Sequence, residues 1–562
     1  GASGGLPASA VSLGLFLAHG LSSTYALADQ PPVPLGQLAM PQSPNHHTAV
    51  SFLPAAQDRS GGRRPWYAVR AGTAIYVIAL SISFAILSRV PLWHTDLWGH
   101  LQYGEIICTR QALPKTDPIM PLASKSRLVD SAWLSQVIAY QVFDHVGLAG
   151  LQCLYAGSIT ACCAILIWIG VRRARGVIVC LAAAGILIAL QWQQLPVIRP
   201  QLAGAVCFLI LLAALSQRHY SRILYSLVPG LMMLWANLHG SFIMGLGLLG
   251  CFALGRAVDV IRRSRRIVAA GHDRRTRRLF LLLLCAALAV LVNPYGADLY
   301  VHAFTFSQNP NLKDLIEWQR LSLASVQVQW FVAAVLLLLP LLYWSPRRKS
   351  TAEILLLAGL GAATVWTSRM IVWFAPVAAY VVLLHGGALW NRLLRGQNVK
   401  PTDRARGAWT ILSATGIMIA AAMSPWGRLI WTDRQSEIRT AVSQQTPVAA
   451  AEFLLNHRRP GQIFNTYEWG DYLSWVGHQH GERWPIFVAS HAHLVPRSVW
   501  VDYMATISAP ADWETRLQRY DVRTVVIDHL HRQALIARLR AADGWTPVFE
   551  DDVAVIFVRN EP

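Results

Sequence analysis

AGTAIYVIALSISFAILSRV, residues 71–90, runs straight into PLWHTDLWGHLQYGE, residues 91–105. About 20 mostly apolar residues are what a helix needs to cross the hydrocarbon core of a bilayer. The stretch that follows gathers Trp93, His94, Asp96, Trp98, His100, Tyr103 and Glu105 where that run ends. Aromatic anchors beside ionisable groups mark a chain leaving a membrane into a polar loop.

The apolar pattern recurs along the chain. Candidate spans lie near 71–90, 147–170, 177–195, 201–216, 222–238, 240–256, 278–292, 326–343, 352–367, 370–388 and 409–425. The expectation is a polytopic α-helical membrane protein with about eleven transmembrane helices over 66–430. Composition agrees: 54% of residues are hydrophobic and 14% charged, against roughly 45–50% and 25% in soluble domains. Lys and Arg number 49 against 30 Asp and Glu, a net +19, but they sit in short clusters between apolar runs. That pattern points to membrane topology and away from nucleic acid. Seven of the eight cysteines (Cys153, Cys162, Cys163, Cys180, Cys207, Cys251 and Cys285) lie inside apolar runs, with Cys108 alone outside them. They read as small buried hydrophobes, not as disulfides or zinc ligands.

Alternate loops carry the arginines: Arg63 and Arg64, Arg172 to Arg175, Arg218 and Arg222, Arg262 to Arg278, Arg347 to Lys349, and Arg392 to Arg406. The positive-inside rule makes that side cytoplasmic. Residues 1–65 then form a flexible cytoplasmic leader, although 8–28 resembles a cleavable signal without its basic start. The expected setting is a bacterial cytoplasmic (inner) membrane, with the C-terminal part periplasmic. After Pro425 the pattern changes to short alternating elements. Strands are expected at 462–464, 486–490 and 523–528 and a two-stranded end at 546–558, with helices at 468–477, 511–520 and 530–542. These make 431–562 a small extracytoplasmic α/β domain. Nothing in it resembles a Gly-rich phosphate loop.

The outer side holds the chemistry-bearing residues. In the large first loop, 91–146, a helix from Asp96 sets Asp96 and His100 on one face with Tyr103 a turn later and Glu105 beyond. Asp96 is either an N-cap or a general base at the mouth of the bundle. Asp117 lies in a Pro-rich turn. Asp130 opens an amphipathic in-plane helix, as a cap or as a ligand. Arg199, Asn237, His239, Asn293, Tyr295, Glu317, Trp318 and Arg369 fall in later outer loops. Each has a bland reading as helix stop, solvated acid or snorkelling anchor. Together, two arginines on one rim suit a lipid phosphate, because the guanidinium fork matches phosphate oxygens. His491 and His493 are two apart and could face one way to bind metal, but loop histidines in water are the simpler reading.

DLWGH (96–100), DSAWLSQ (130–136), NLHG (237–240), NPYG (293–296), EWQ (317–319), FNTYEWGDYL (464–473) and DDVAV (551–555) occur in this order. The chain thereby resembles the GT-C superfamily of polyprenyl-phosphate-dependent glycosyltransferases. Within it, the resemblance is to a bacterial branch distantly related to the mannosyltransferase and aminoarabinose-transferase families, and it covers roughly 70–562. It implies a sugar on a polyprenyl phosphate as donor, met by an acceptor at the outer face with inversion. By resemblance Asp96 is the catalytic carboxylate, with Asp117 or Asp130 as a second. Arg199, Arg369 and His239 are read as the donor-phosphate site. His100, Tyr103, Glu105, Asn237, Asn293, Tyr295, Glu317 and Trp318 are read as acceptor or pocket residues. The cofactor is unknown; a divalent cation on the aspartates is one possibility. Relatives carry two adjacent acids where this chain has His94, Thr95 and a single Asp96. That departure keeps a second reading open, a non-catalytic subunit working with membrane lipids and other membrane proteins. A lipid-linked glycan ligase or polymerase is a third.

Overall fold

Local signals start and stop the helices in the computed structural model, which describes residues 67–560 apart from 174, 195–196, 218, 323–324, 395–404, 430–439 and 458–460. The expected leader and its signal-like stretch lie outside the described residues. Ser350 and Glu353 form a reciprocal capping box that opens the Thr351–Trp366 helix, satisfying amides that the first turn leaves free. Asp273 caps the Arg274–Val290 helix through Thr276 N. Gln111, at φ 49°, closes the Leu97–Arg110 helix in the left-handed region.

The count of eleven spans is corrected. Among the described residues four helices are long and apolar enough to cross a membrane: Trp133–Arg172, Phe242–Ser264, Val326–Trp344 and Ser368–Leu393. Helices do occupy the other runs, but Ala71–Leu87, Val177–Gln191, Gln201–Leu215, Leu224–Leu238, Thr351–Trp366 and Gly407–Met423 have 17 residues or fewer. At about 1.5 Å per residue such a helix is roughly 25 Å long, short of a core about 30 Å thick. Apolar runs count residues in the turns at their ends; helices do not. The run at 278–292 belongs to Arg274–Val290, whose first turn is arginine-rich. The amphipathic segment after Asp130 is continuous with the next run as one 40-residue helix, Trp133–Arg172, broken at Gly147. Gly147 has φ 73° and ψ −160°, a conformation that essentially only glycine adopts.

The C-terminal part holds a four-stranded sheet in the order β1-β2-β4-β3. Its strands are β1 (Gln462–Asn465), β2 (Val522–Asp528), β3 (Trp545–Glu550) and β4 (Ala554–Arg559). β1 and β2 run parallel, with Phe464 opposite Val525, and the remaining pairs are antiparallel. The expected strand at 486–490 is an isolated bridge, Ile463 to Ile486, because the chain turns away to deliver 490–493 elsewhere. The sequence reading also passed over the helices Val448–Asn456 and Arg497–Ile507.

Alternation along β2 shows how the sheet is held. Val525 and Ile527 enter one apolar cluster with Phe464, Phe487, Trp500 and Tyr503. Val526 enters another with Ile463, Ile556, Trp469 and Trp475. The second cluster also contains Leu97, Trp98, Leu148 and Leu151 from the helical part, and the first contains Tyr103, Ile119 and Met120. Both faces of the sheet are therefore covered, and the segment 97–132 is packed between the helices and the sheet. All of this lies in one compact unit, Arg64–Pro562.

The Leu97–Arg110 helix lies on Trp133–Arg172 at Gly104, where a Cβ would sit 2.3 Å from the Gln136 carbonyl oxygen. Gly104→Ala is expected to destabilise the protein by about 1–3 kcal/mol through overpacking, read as a lower midpoint of thermal unfolding in detergent. An unchanged midpoint would mean that these helices are not in close contact.

Candidate functional site

Four charged side chains from four separate segments meet at one end of the helices. Asp96 stands at the N-cap position of Leu97–Arg110 but makes no capping hydrogen bond. Its Oδ2 lies 2.5 Å from Arg199 Nε instead. That contact is an ion pair by distance, out of line for a hydrogen bond, since Arg199 Nε has no hydrogen-bond partner. Arg199 Nη1 is 2.5 Å from Glu317 Oε2, and Arg369 Nη1 is 2.5 Å from Glu317 Oε1. The charges alternate along the series Asp96, Arg199, Glu317, Arg369. The side chains are 17–23% exposed, so the pairs are partly shielded from water.

Short 3-10 turns place the last two members. Glu317 sits in Ile316–Trp318 and Arg369 in Ser368–Met370. The turns are tied together by Ser368 N to Gln319 O at 3.2 Å, and by Ser368 Oγ and Thr367 Oγ1 to Glu317 O at 3.0 and 3.2 Å. Arg369 also lies over the Trp318 ring, 5.2 Å from its centroid, a favourable cation–π placement.

These residues line a cavity of about 120 Å³ together with Asp130, His100, His239 and, from the α/β part, Tyr467, Ser490, His491 and His493. Asp130 is buried. Its Oδ1 accepts from Ala132 N at 3.0 Å and Gln136 Nε2 at 3.1 Å, while its Oδ2 has no hydrogen-bond partner. The Tyr295 hydroxyl accepts from Asp130 N at 3.1 Å. His239 Nδ1 is 2.8 Å from Ser241 Oγ, and Gln136 Nε2 is 3.1 Å from His100 Nδ1.

The two walls are electrostatically different. Burial raises the Asp96 carboxyl, but the Arg199 and Arg369 guanidinium groups outweigh it and hold the group below the usual carboxylate range. Glu317 is held low in the same way, its burial overcome by Arg369 and Arg199. Asp130 goes the other way, because burial raises it more than His491 and its hydrogen bonds lower it. Burial, with the positive charges nearby, pushes His239 down to about 3, and His100 falls to about 3 through burial and His491. One wall is thus ionised and paired; the other carries a poorly solvated carboxyl among neutral imidazoles.

The remaining expected site residues lie outside the cavity lining. Asp117 Oδ1 accepts the amides of Ile119 and Met120 at 2.7 and 3.1 Å. Tyr103 is buried with its hydroxyl 2.8 Å from His491 Nδ1, behind the wall it supports. Glu105 accepts from Gln479 Nε2 at 2.8 Å. Asn237 bridges Trp133 Nε1 and Val292 O, and Asn293 closes its own turn onto Val290 O and Tyr295 N. Among the described residues no three His, Cys, Asp or Glu side chains converge as a metal group.

Sequence reasoning missed three contributors. His491 and His493, read as loop histidines in water, line the cavity. Asp471 is buried behind it, with its Oδ2 accepting from Ser490 N at 3.1 Å. The close fit at Gly99, where a Cβ would lie 2.2 Å from Asp471 Oδ1, shows how tightly this carboxyl sits on the Leu97–Arg110 helix. Burial and the charge of Asp96 push Asp471 up to about 7. An acid in the otherwise buried run Gly470–Trp475 was the signal available in the sequence.

Helices carrying a polar cavity at one end, closed by an α/β unit, make a largely α-helical, multi-pass arrangement with a soluble extramembrane part. Two structures of the Archaeoglobus fulgidus oligosaccharyltransferase match it, the apo form and one tethered to an acceptor peptide containing the NVT sequon. Each has TM-score 0.50 and 12% identity over 83% of this chain, and they cover 70% and 69% of the archaeal chain. The apo structure of ArnT from Cupriavidus metallidurans matches at TM-score 0.49 and 15% identity, over 86% of this chain and 97% of that one. At 12% identity the likeness to the archaeal structures is one of fold. No protein-family model matches the sequence, and no curated protein does.

Because burial raises Asp471 above its unfolded value of 3.8, the stability it contributes is complete below that pH and is lost as pH rises through about 7. Asp471→Asn should flatten the dependence of thermal stability on pH between about 4 and 7. An unaltered profile in the variant would place the carboxyl in water.

Proposed function

We propose that the protein transfers a sugar from a polyprenyl-phosphate donor to an acceptor hydroxyl at the outer face of the cytoplasmic membrane, with inversion. The observation that carries this reading is the pairing of two cavities. The polar one adjoins an apolar groove of about 350 Å³, and His100, Arg199 and Pro200 line both. Ile138, Leu154, Val206, Ile210, Leu231 and Leu234 line the groove, a surface suited to an isoprenoid chain whose phosphate reaches Arg199. A ligand with one charged end and a long apolar body fits that junction.

In this reading Arg199 and Arg369 receive the donor phosphate in place of part of their hold on Glu317. Asp130, which lines the cavity and whose Oδ2 lacks a hydrogen-bond partner, takes the proton from the acceptor hydroxyl. The acceptor oxygen then bonds to the anomeric carbon as the bond from that carbon to the phosphate oxygen breaks. The electron pair leaves with the phosphate, where the two guanidinium groups stabilise it. Asp96 orients Arg199 and is a weaker base than Asp130, because its charge is already satisfied. The α/β part, extracytoplasmic in this reading and periplasmic in a bacterium, closes the cavity with His491 and His493.

A second reading rests on the same ion pairs. Both arginines already hold carboxylates, as they would in a structural subunit that keeps the scaffold without the chemistry. A transfer assay in reconstituted membranes separates the two, using a panel of labelled polyprenyl-phosphate sugars. Asp130→Asn is expected to cut turnover by about 10²–10⁴-fold with thermal stability retained, and the wild-type rate should fall as pH drops through the raised Asp130 value. Donor turnover that is equal in wild type and Asp130→Asn would refute this assignment, and no turnover of any donor would favour the structural subunit.

A further inference from the structure

A second cluster of arginines lies at the other end of the same helices. The Gln201–Leu215 helix begins just after Arg199 and ends at Ser216, and Thr351–Trp366 runs from Ser350 towards Arg369. At about 1.5 Å per residue the two ends are more than 20 Å apart. Between Ser216 and Ser350 lies a cavity of about 230 Å³, lined by Arg173, Arg256, Arg275 and Arg347 with Tyr220 and Tyr380. The glycosyl-transfer reading uses none of these residues.

The arginines are held in place by their surroundings. Arg256 is gripped by Asp273 through Nε and Nη2 at 3.0 and 2.8 Å. Arg275 donates to Gln217 O and the Tyr220 hydroxyl at 3.1 and 3.2 Å and lies over that ring at 4.5 Å. Arg347 is shared between Glu353 Oε1 at 2.7 Å and His385 Nε2 at 3.1 Å. Arg173 donates to Ser216 O, a neutral acceptor. The acids in the wall are Asp259 and Glu353, so four arginines face two carboxylates, and Asp273 behind Arg256 makes a third. The cavity remains net positive.

Its mouth points to the kind of anion. An adjoining hollow shares Arg173, Ser216 and Gln217 and adds Trp168, Ile169 and Arg172. Arg172 lies 5.4 Å from the centroid of the Trp168 ring, and that ring is 45% exposed. An exposed tryptophan beside arginines, at the end of an apolar helix, is the arrangement found at the boundary between acyl chains and headgroups. Basic pockets between membrane helices take phosphate headgroups.

We propose that Arg173, Arg256, Arg275 and Arg347 form a second anion site, which holds the phosphate of a membrane lipid at the end of the helices opposite the candidate active site. Two lipids carry that chemistry, an acidic phospholipid and a polyprenyl phosphate, and the site does not depend on glycosyl transfer.

Native mass spectrometry of the full chain in detergent tests this, with phosphatidylglycerol, polyprenyl phosphate, phosphatidylcholine and inorganic phosphate titrated separately. One or both acidic lipids should be retained over phosphatidylcholine. Retention of phosphatidylglycerol should weaken about fivefold for each arginine removed in Arg173→Gln and Arg275→Gln, and should survive in Arg199→Gln, which alters the other end. Retention of phosphatidylglycerol identifies a structural phospholipid, and polyprenyl phosphate that Arg199→Gln still holds but loses when Arg173→Gln is added to it identifies the carrier. Arg173 donates to a neutral carbonyl, so Arg173→Gln keeps the test valid if Arg275→Gln fails to fold. Equal retention in wild type and Arg173→Gln, equal retention of phosphatidylcholine, or binding of inorganic phosphate without lipid would overturn the proposal.

Discussion

The alternating series Asp96, Arg199, Glu317 and Arg369 is the constraint on which the rest of the site depends. Its members come from four segments spread over 96–369, so it exists only when the first loop, the start of Gln201–Leu215 and the two short turns are all in place. Partly buried charges are costly unless each finds an opposite neighbour. Alternation answers that requirement, and it fixes the two arginines side by side, the arrangement a phosphate needs. The same pairing lowers Asp96 and Glu317, whereas Asp130, on the same cavity, keeps an oxygen without a hydrogen-bond partner.

The second constraint comes from the α/β part. Each face of the sheet is covered by its own helices together with residues of the helical part, Tyr103, Ile119 and Met120 on one side and Leu97, Trp98, Leu148 and Leu151 on the other. Packing of this kind brings Ser490, His491 and His493 to the cavity as a consequence of burying the sheet. Asp471 enters by the same route and is pushed up by the absence of water and the nearness of Asp96.

Much of this was legible in the sequence, for physical reasons. Apolar runs become helices because lipid-like surroundings demand internal hydrogen bonding, and helices do occupy the runs. The number able to cross a membrane was not legible, since hydropathy counts the residues of end turns and cannot see that 133–146 continues into the next run across Gly147. Polar residues stand out at the ends of apolar runs in the sequence, but which of them meet depends on three-dimensional order. Asn237 and Asn293 close turns, whereas Arg199 and Glu317 face each other across 118 positions. His491 and His493 looked like solvated loop residues because nothing local marks a loop that is about to be buried against another part of the chain. Asp471 had a local signal, an acid inside a buried run, whose meaning needed Gly99 opposite it.

If Arg199 and Arg369 are the phosphate site and Glu317 is the carboxylate that occupies them in the free protein, then Glu317 competes with the ligand. The direct test is the affinity for a short-chain polyprenyl phosphate, measured by titration calorimetry on wild type and Glu317→Gln. The account expects the variant to bind more tightly, because two guanidinium groups lose their internal counter-ion without a change in side-chain volume. Weaker or unchanged binding would contradict it, and would leave the charged series as a structural clamp with no part in holding a phosphate.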